Sequence, residues 1–198
     1  MQSDGFTVLD EHKLAALVTY LVHDLAAETA PAPFPEGFAL NRLNAADVAR
    51  YRQLFAKVGA EWLWFSRLRM PEPELRAILA APAVEALALV GPAGDCGLLE
   101  LDFRDPEVAE LAYFGLVPEA VGHGLGRALM GEALSRAREM GVPALHVHTC
   151  TLDHPRALAF YCQSGFRPIR RAIEVFNDPR LDGTLPRHVA PWMPIIGG

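Results

Sequence analysis

The sequence predicts an α+β (mixed α/β) fold in which helices flank one central, mostly antiparallel sheet. Three observations carry this expectation. Short apolar runs punctuated by turn residues occupy Val84 to Val117, a strong helical pattern runs from Gly124 to Met140, and strand and helix patterns alternate from Ala144 to Phe176.

Taken in order, the apolar run Leu14–Val22 is compatible with a helix or with an extra strand. Val18, Thr19, Tyr20 and Val22 lean to strand, but periodicity leaves both open. The Pro-rich Ala30-Pro-Ala-Pro-Phe-Pro35 reads as a linker. Phe38–Leu43 reads as a strand, and Asn44-Ala-Ala-Asp47 then caps a helical pattern that runs to Val58. After Trp62-Leu-Trp-Phe65 come Arg67, Arg69 and Pro71, and Glu72–Leu79 has the spacing of a short helix. Val84–Val90, the turn Gly91-Pro-Ala-Gly-Asp95 and Gly97–Phe103 form a predicted hairpin, with Glu110–Val117 as the third strand of a meander.

In the Gly124–Met140 helix, Leu125, Ala128, Leu129, Ala133, Leu134 and Ala137 share one side, and Gly141 stops it. Ala144–Cys150 is the next strand. Pro155–Gln163 is a short helix opening on proline and ended by Gly165, and Phe166–Phe176 returns as a strand. The last twenty residues, rich in proline, read as an extended tail. The organisation expected is therefore an N-terminal extension (1–36), one main domain (37–177) and a C-terminal tail (178–198).

Composition bounds the function. A chain of 198 residues, 51% of them apolar, buries one core as a soluble globule. Eighteen basic against twenty-four acidic residues leave a net charge of −6, the wrong sign for a nucleic-acid binder, so any phosphate ligand needs local, backbone-based capture. An acidic surface favours cationic partners. No segment has the length of a membrane span, and the N-terminus lacks the charged flank and cleavage signal of a secretory leader. Cys96, Cys150 and Cys162 are odd in number and irregularly spaced, which points to free thiols in a reducing cytoplasm.

The most informative stretch is Leu116-Val-Pro-Glu-Ala-Val-Gly-His-Gly-Leu-Gly-Arg127, where a strand gives way to alternating glycines and then to the strong helix. Such a turn exposes backbone N–H groups beside the positive end of a helix, a natural cradle for a phosphate or diphosphate. The dinucleotide fingerprint requires a glycine at its sixth place, which here falls on Arg127 or Leu129. The Gly-Lys-Ser/Thr of nucleotide-triphosphate loops is absent.

Downstream lies Asp153-His-Pro-Arg-Ala-Leu-Ala-Phe-Tyr-Cys-Gln-Ser-Gly-Phe166. With the glycine turn, this run resembles the GNAT superfamily of N-acetyltransferases. Its signature is Gln/Arg-x-x-Gly-x-Gly/Ala after a strand, then Asn-x-x-Ala-x-x-Phe/Leu-Tyr-x-x-x-Gly-Phe. Gly124 and Gly126 fill the glycine positions, and Ala157, Phe160, Tyr161, Gly165 and Phe166 fill the second block. Val121 stands where the family prefers Gln or Arg, and His154 where it usually has Asn. The resemblance spans Phe38 to Phe176 and implies a twisted sheet with splayed middle strands. It further implies direct transfer of an acetyl group from acetyl-CoA to an amine, with no metal.

Aminolysis of a thioester needs a base, N–H donors for the oxyanion and an acid for the departing thiolate. The resemblance implies Glu110 as general base, at the place used by the histone-modifying branch, although other branches place the base elsewhere. It implies Tyr161 as proton donor to the thiolate. Phe114, Gly115 and Leu116 are expected to pair with the pantetheine arm, with Gly115 marking a bulge or a close approach. Gly122, His123, Gly124, Leu125, Gly126 and Arg127 are expected to hold the pyrophosphate, with His154 nearby.

His146, His148 and Cys150 alternate on one face of a predicted strand, but their spacing implies no fourth metal ligand, and a buried strand accounts for them. No Cys/His/Asn set supports a cysteine nucleophile. Trp62, Trp64, Phe65, Arg67 and Arg69 either line the acceptor pocket or, for the aromatics, belong to the core. If the arginines face the pocket, a carboxylate-bearing acceptor fits. The rival from another class is a non-catalytic acyl-CoA-binding or regulatory module, and a homodimer through the sheet edge or tail is compatible with either.

Overall fold

The computed structural model describes residues 4–26, 32–105 and 107–197. Its strands are β1 (Lys13–Asp24), β2 (Ala39–Leu43), β3 (Val84–Gly91), β4 (Gly94–Asp102), β5 (Glu110–Leu116), β6 (Ala144–Cys150) and β7 (Arg167–Asn177). They form one sheet in the order β2-β3-β4-β5-β6-β1-β7. Every registered neighbour pair is antiparallel except β5 and β6, so the mostly antiparallel sheet expected from the sequence is present.

Helices cover both faces. On one, α1 (Val48–Gly59) and α3 (Glu72–Ala80), with the short α2 (Ser66–Arg69) between them in the chain, bury Tyr51, Leu54, Phe55, Leu75 and Leu79 against Ala86, Ala88 and Leu98. On the other, α4 (Leu125–Glu139) seats Leu129, Ala133 and Ala137 on Leu87, Leu99, Leu101, Leu111 and Val147. Each fully buried leucine contributes about 1.5–3 kcal/mol relative to an exposed one. The stripe read from the sequence is the buried one, and Gly141 ends the helix region with φ +72°. Because β4 has helices on both sides, even its Glu100 is fully buried. That carboxylate is held by the Tyr51 hydroxyl and by Arg67 Nη2 at 2.5 Å, the pairing that a buried charge requires.

The segment left open between helix and strand is β1. It is seated between β6 and β7, with Val18, Leu21 and Val22 buried, so its run of apolar residues has no clean alternation. Periodicity fails for such a central strand, and pairing with segments far along the chain decides its conformation. Residues 13–24, expected within an N-terminal extension, therefore belong to the main sheet. The proline run begins at Ala30 and Pro31, outside the described residues.

Residues 178–197 are not an extended tail but a series of turns packed on the sheet. Leu185, Val189 and Ala190 are buried with Ala16, Leu63 and Leu152. Asp178 and Arg180 form a buried ion pair at 2.7 Å, and Arg180 Nη1 also donates to the carbonyls of Ala190 at 3.1 Å and Met193 at 2.8 Å. Proline content suggested chain without structure. The buried arginine, which satisfies carbonyls that no strand or helix would satisfy, supplies what the prolines withhold.

Candidate active site

Strands β5 and β6 meet at one registered pair, Glu110 with His146, beside the 2.8 Å bond from His146 N–H to the Ala109 carbonyl. Beyond it they part, as the expected splay requires. Between them lies a cavity of about 990 Å³. One wall is 111–116 of β5 and the other 147–150 of β6, with Trp62–Ser66 across the top. The glycine turn and α5 (Ala157–Gln163) lie at one end, and Glu174 and Phe176 of β7 at the other.

At the first end, Gly122 and Gly124 have φ of +94° and +78°, and a Cβ on either would enter open space. The amides of Val121, Arg127 and Ala128 are tied to the carbonyls of Pro118 and Gly124. Among the described residues no hydrogen bond engages the amides of Gly122, His123, Gly124, Leu125 or Gly126. Unengaged donors at the start of a fifteen-residue helix fit a diphosphate. Arg127 lines the cavity at this turn and His154 lines it against Trp62, whereas His123 does not line it and the Leu125 side chain is core, leaving only main-chain atoms of Leu125 to contribute.

Phe114, Gly115 and Leu116 line the cavity, but the bulge is not at Gly115 as expected. The β4–β5 register shifts between Glu100 opposite Tyr113 and Leu101 opposite Leu111, which makes Ala112 the extra residue. Gly115 pairs regularly with Leu98, and a Cβ there would collide with Val58 of α1. The glycine admits a helix rather than bending the strand.

The Tyr161 side chain lies among Phe114, Phe160 and Phe166, and the residue is 7% exposed. It lines the cavity, and among the described residues its hydroxyl has no hydrogen-bond partner. Burial, and then the charge of Asp153, push its pKa far above the usual phenol value, so it stays protonated. Glu110 does not line the cavity. Its Oε1 lies 3.0 Å from Nδ1 of His148, which does. That bond, opposed by burial and aided by the charges of Glu110, Asp153 and Glu174, raises the His148 pKa.

Asp153 is the residue that sequence reasoning missed. It accepts hydrogen bonds from Trp64 Nε1 at 3.1 Å, Thr149 Oγ1 at 2.7 Å and the Cys150 amide at 2.8 Å, binding the loop after β6 to the Trp62–Ser66 segment. The signal was the short Thr-x-x-x-Asp spacing, which suits a local turn. Trp62, Trp64 and Phe65 prove to be both lining and packing, since Trp62 packs edge-on against His154, Trp64 against Phe55 and Tyr113, and Phe65 against Phe176. Arg67 and Arg69 do not line the cavity. Arg67 pairs with Glu100 and Arg69 with Asp182 at 2.5 Å, so the condition set for a carboxylate-bearing acceptor is not met. Burial, then Asp153, push the Cys150 thiol up to about 11, which keeps it protonated. Among the described residues no cluster of three or more His, Cys, Asp or Glu could hold a metal ion, and no helix is long and apolar enough to cross a membrane.

A sequence profile of the Acetyltransferase (GNAT) family matches residues 60–166, from the Trp62 segment through Tyr161 to Phe166. The chain belongs to this family. Within the GNAT family it is similar to the mycothiol acetyltransferase of Jonesia denitrificans, 40% identical over 70 residues that make up 35% of this chain and 22% of that one. It is also similar to the mycothiol acetyltransferase of Beutenbergia cavernae, 38% identical over 86 residues, 42% of this chain and 29% of that one. The chain thus aligns with less than a third of each of these curated relatives. A GCN5-related N-acetyltransferase from Sphaerobacter thermophilus superposes with a TM-score of 0.58 at 15% identity, over 82% of this chain and 52% of that one, so the fold is shared. Members of the GNAT family use acetyl-CoA as acyl donor, and the open amides and forked strands described above fit that substrate.

Proposed function

We propose that this protein transfers an acetyl group from acetyl-CoA directly to an amine of a small molecule or peptide. The observation that carries the reading is the row of unengaged amides at 122–126, opening onto a cavity that continues past Tyr161 to His148. The diphosphate is held by those amides and Arg127, and the pantetheine arm runs along Phe114, Gly115 and Leu116. Main-chain N–H groups on the β5 side polarise the thioester carbonyl. Glu110, the expected general base, connects to the cavity through its 3.0 Å contact with His148, and the protonated Tyr161 gives its proton to the departing thiolate. The names of the two curated relatives support acetyl as the group moved. The free cysteines suit a reducing cytoplasm, and the exposed β7 leaves one sheet edge open to a second copy.

The test follows free thiol while purified protein is incubated with acetyl-CoA and a panel of primary amines, with CoA affinity measured by calorimetry. Amine-dependent thiol release supports transfer. Tight CoA binding without release across the panel would favour the non-catalytic acyl-CoA-binding module instead.

A further inference from the structure

Glu110 sits where β5 and β6 still pair, at the closed end of the fork, and its carboxylate does not reach the cavity. His148 lies two residues farther along β6, where the strands have parted, and its ring lines the cavity wall. An ionised carboxylate only accepts hydrogen bonds, so the 3.0 Å contact places the Nδ1 proton on the bond to Glu110. The neutral imidazole is then fixed as the tautomer whose Nε2 carries a lone pair. Among the described residues that Nε2 has no hydrogen-bond partner. The Tyr20 ring, 5.8 Å away on β1 and itself covered by Arg170, packs against the imidazole and limits its rotation.

We infer that His148, not Glu110, is the catalytic residue that takes the proton from the acceptor amine, and that Glu110 acts through it as a positioning residue. The inference rests on the acetyl-transfer reading and deepens it. As the amine nitrogen bonds to the acetyl carbon, its proton passes to His148 Nε2. The carbon–sulfur bond breaks with its electron pair on sulfur, and Tyr161 protonates the thiolate. The imidazolium then returns its proton, through solvent, to the tyrosinate, so a neutral amine gives amide and thiol with no net proton change. The charged groups facing the ring are Glu110 from β5, Asp153 from the loop after β6, Glu174 from β7 and, behind Tyr20, Arg170. The three carboxylates outweigh the one guanidinium. With the hydrogen bond to Glu110 and against burial, they favour the imidazolium and move the ring's proton uptake above the ordinary histidine value.

The experiment compares kcat/KM against pH for the parent, His148→Gln and Glu110→Gln, with ethylamine and with the weakly basic 2,2,2-trifluoroethylamine, alongside CoA affinity. An NMR titration of the His148 ring in the unliganded protein gives a readout that does not depend on turnover. The parent should show an acid limb above the ordinary histidine value, matching the NMR titration. His148→Gln should lose that limb and about 10²-fold or more of its rate with ethylamine, but far less with trifluoroethylamine, at unchanged CoA affinity. Glu110→Gln, whose amide oxygen still accepts from Nδ1, should keep a limb shifted to lower pH in both kinetics and NMR. A limb that survives His148→Gln and vanishes in Glu110→Gln would make Glu110 the base and overturn the inference. Equal losses with both amines in His148→Gln would overturn it too, by reducing His148 to a structural part. A parent that binds CoA but acetylates no amine would bring down the transfer reading itself, and the assignment of His148 with it.

Discussion

At the end of the cavity beside α4 the wall is main chain, the amides of 122–126 on a glycine turn that a single stretch of sequence specifies. At the end beside β7 the wall is side chains, with His148, Glu174, Phe176 and Phe65 delivered by separate elements and backed by a C-terminal segment. A backbone site needs only that nothing block it. A side-chain site needs every supporting element in place, so the two ends should respond differently to damage.

The largest expected effect tests the support of the side-chain end. Arg180→Ala leaves Asp178 buried without its partner and frees several carbonyls, and should cost about 3–5 kcal/mol in urea denaturation. In the folded fraction the acceptor KM should rise while CoA affinity holds, because Leu185 and Val189 pack under Leu63 and Leu152 rather than near the glycine turn. Equal losses at both ends would break the contrast. Next, Tyr161→Phe, at the boundary between the ends, should lower kcat about 10²-fold with CoA affinity unchanged, by steady-state kinetics and calorimetry. At the main-chain end, Gly124→Val forces a β-branched residue to φ +78°, a strain on the order of 1–3 kcal/mol, and should weaken CoA about tenfold or more. Gly126→Ala, whose Cβ would make only ordinary contacts at 3.8 Å, should change CoA affinity by less than about threefold, within the tolerance of a site that remains unblocked.

The smallest effect is a pH dependence of stability. Burial opposes ionisation of Asp178, but Arg180 outweighs it and holds the carboxyl below its usual value. A depressed folded pKa means that the stabilisation is present above the unfolded value of about 3.9 and is lost as pH falls through the folded one. Urea midpoints of the parent should therefore fall more steeply on acidification than those of Asp178→Asn.

The same contrast explains what the sequence disclosed. The glycine turn, the α4 stripe and the hairpin around Gly91 and Gly94 were legible because each depends on neighbours close in the chain. The strand character of β1 was not, since its partners are β6 and β7. Nor was the Asp178–Arg180 lock, hidden in a stretch whose prolines suggested looseness. At the site, Tyr161 and residues 114–116, which the resemblance singled out, line the cavity. The separation of Glu110 from the cavity by His148, the bulge at Ala112 and the linking role of Asp153 depend on which strands part and where, and the spacing of residues does not encode that.

The placement of β1 also orders the birth of the molecule. During synthesis β1 is made before every other strand, yet the Leu17 amide bonds Thr151 Oγ1 across 134 residues and the Lys13 ammonium bonds Asn177 Oδ1 across 164. Distant pairings close slowly, whereas the β3–β4–β5 meander joins through short connections. The meander that leads into the glycine turn is therefore expected to form before β1 is docked. His148 and Glu174 are brought into one framework only when the oldest strand is finally clasped between the two youngest.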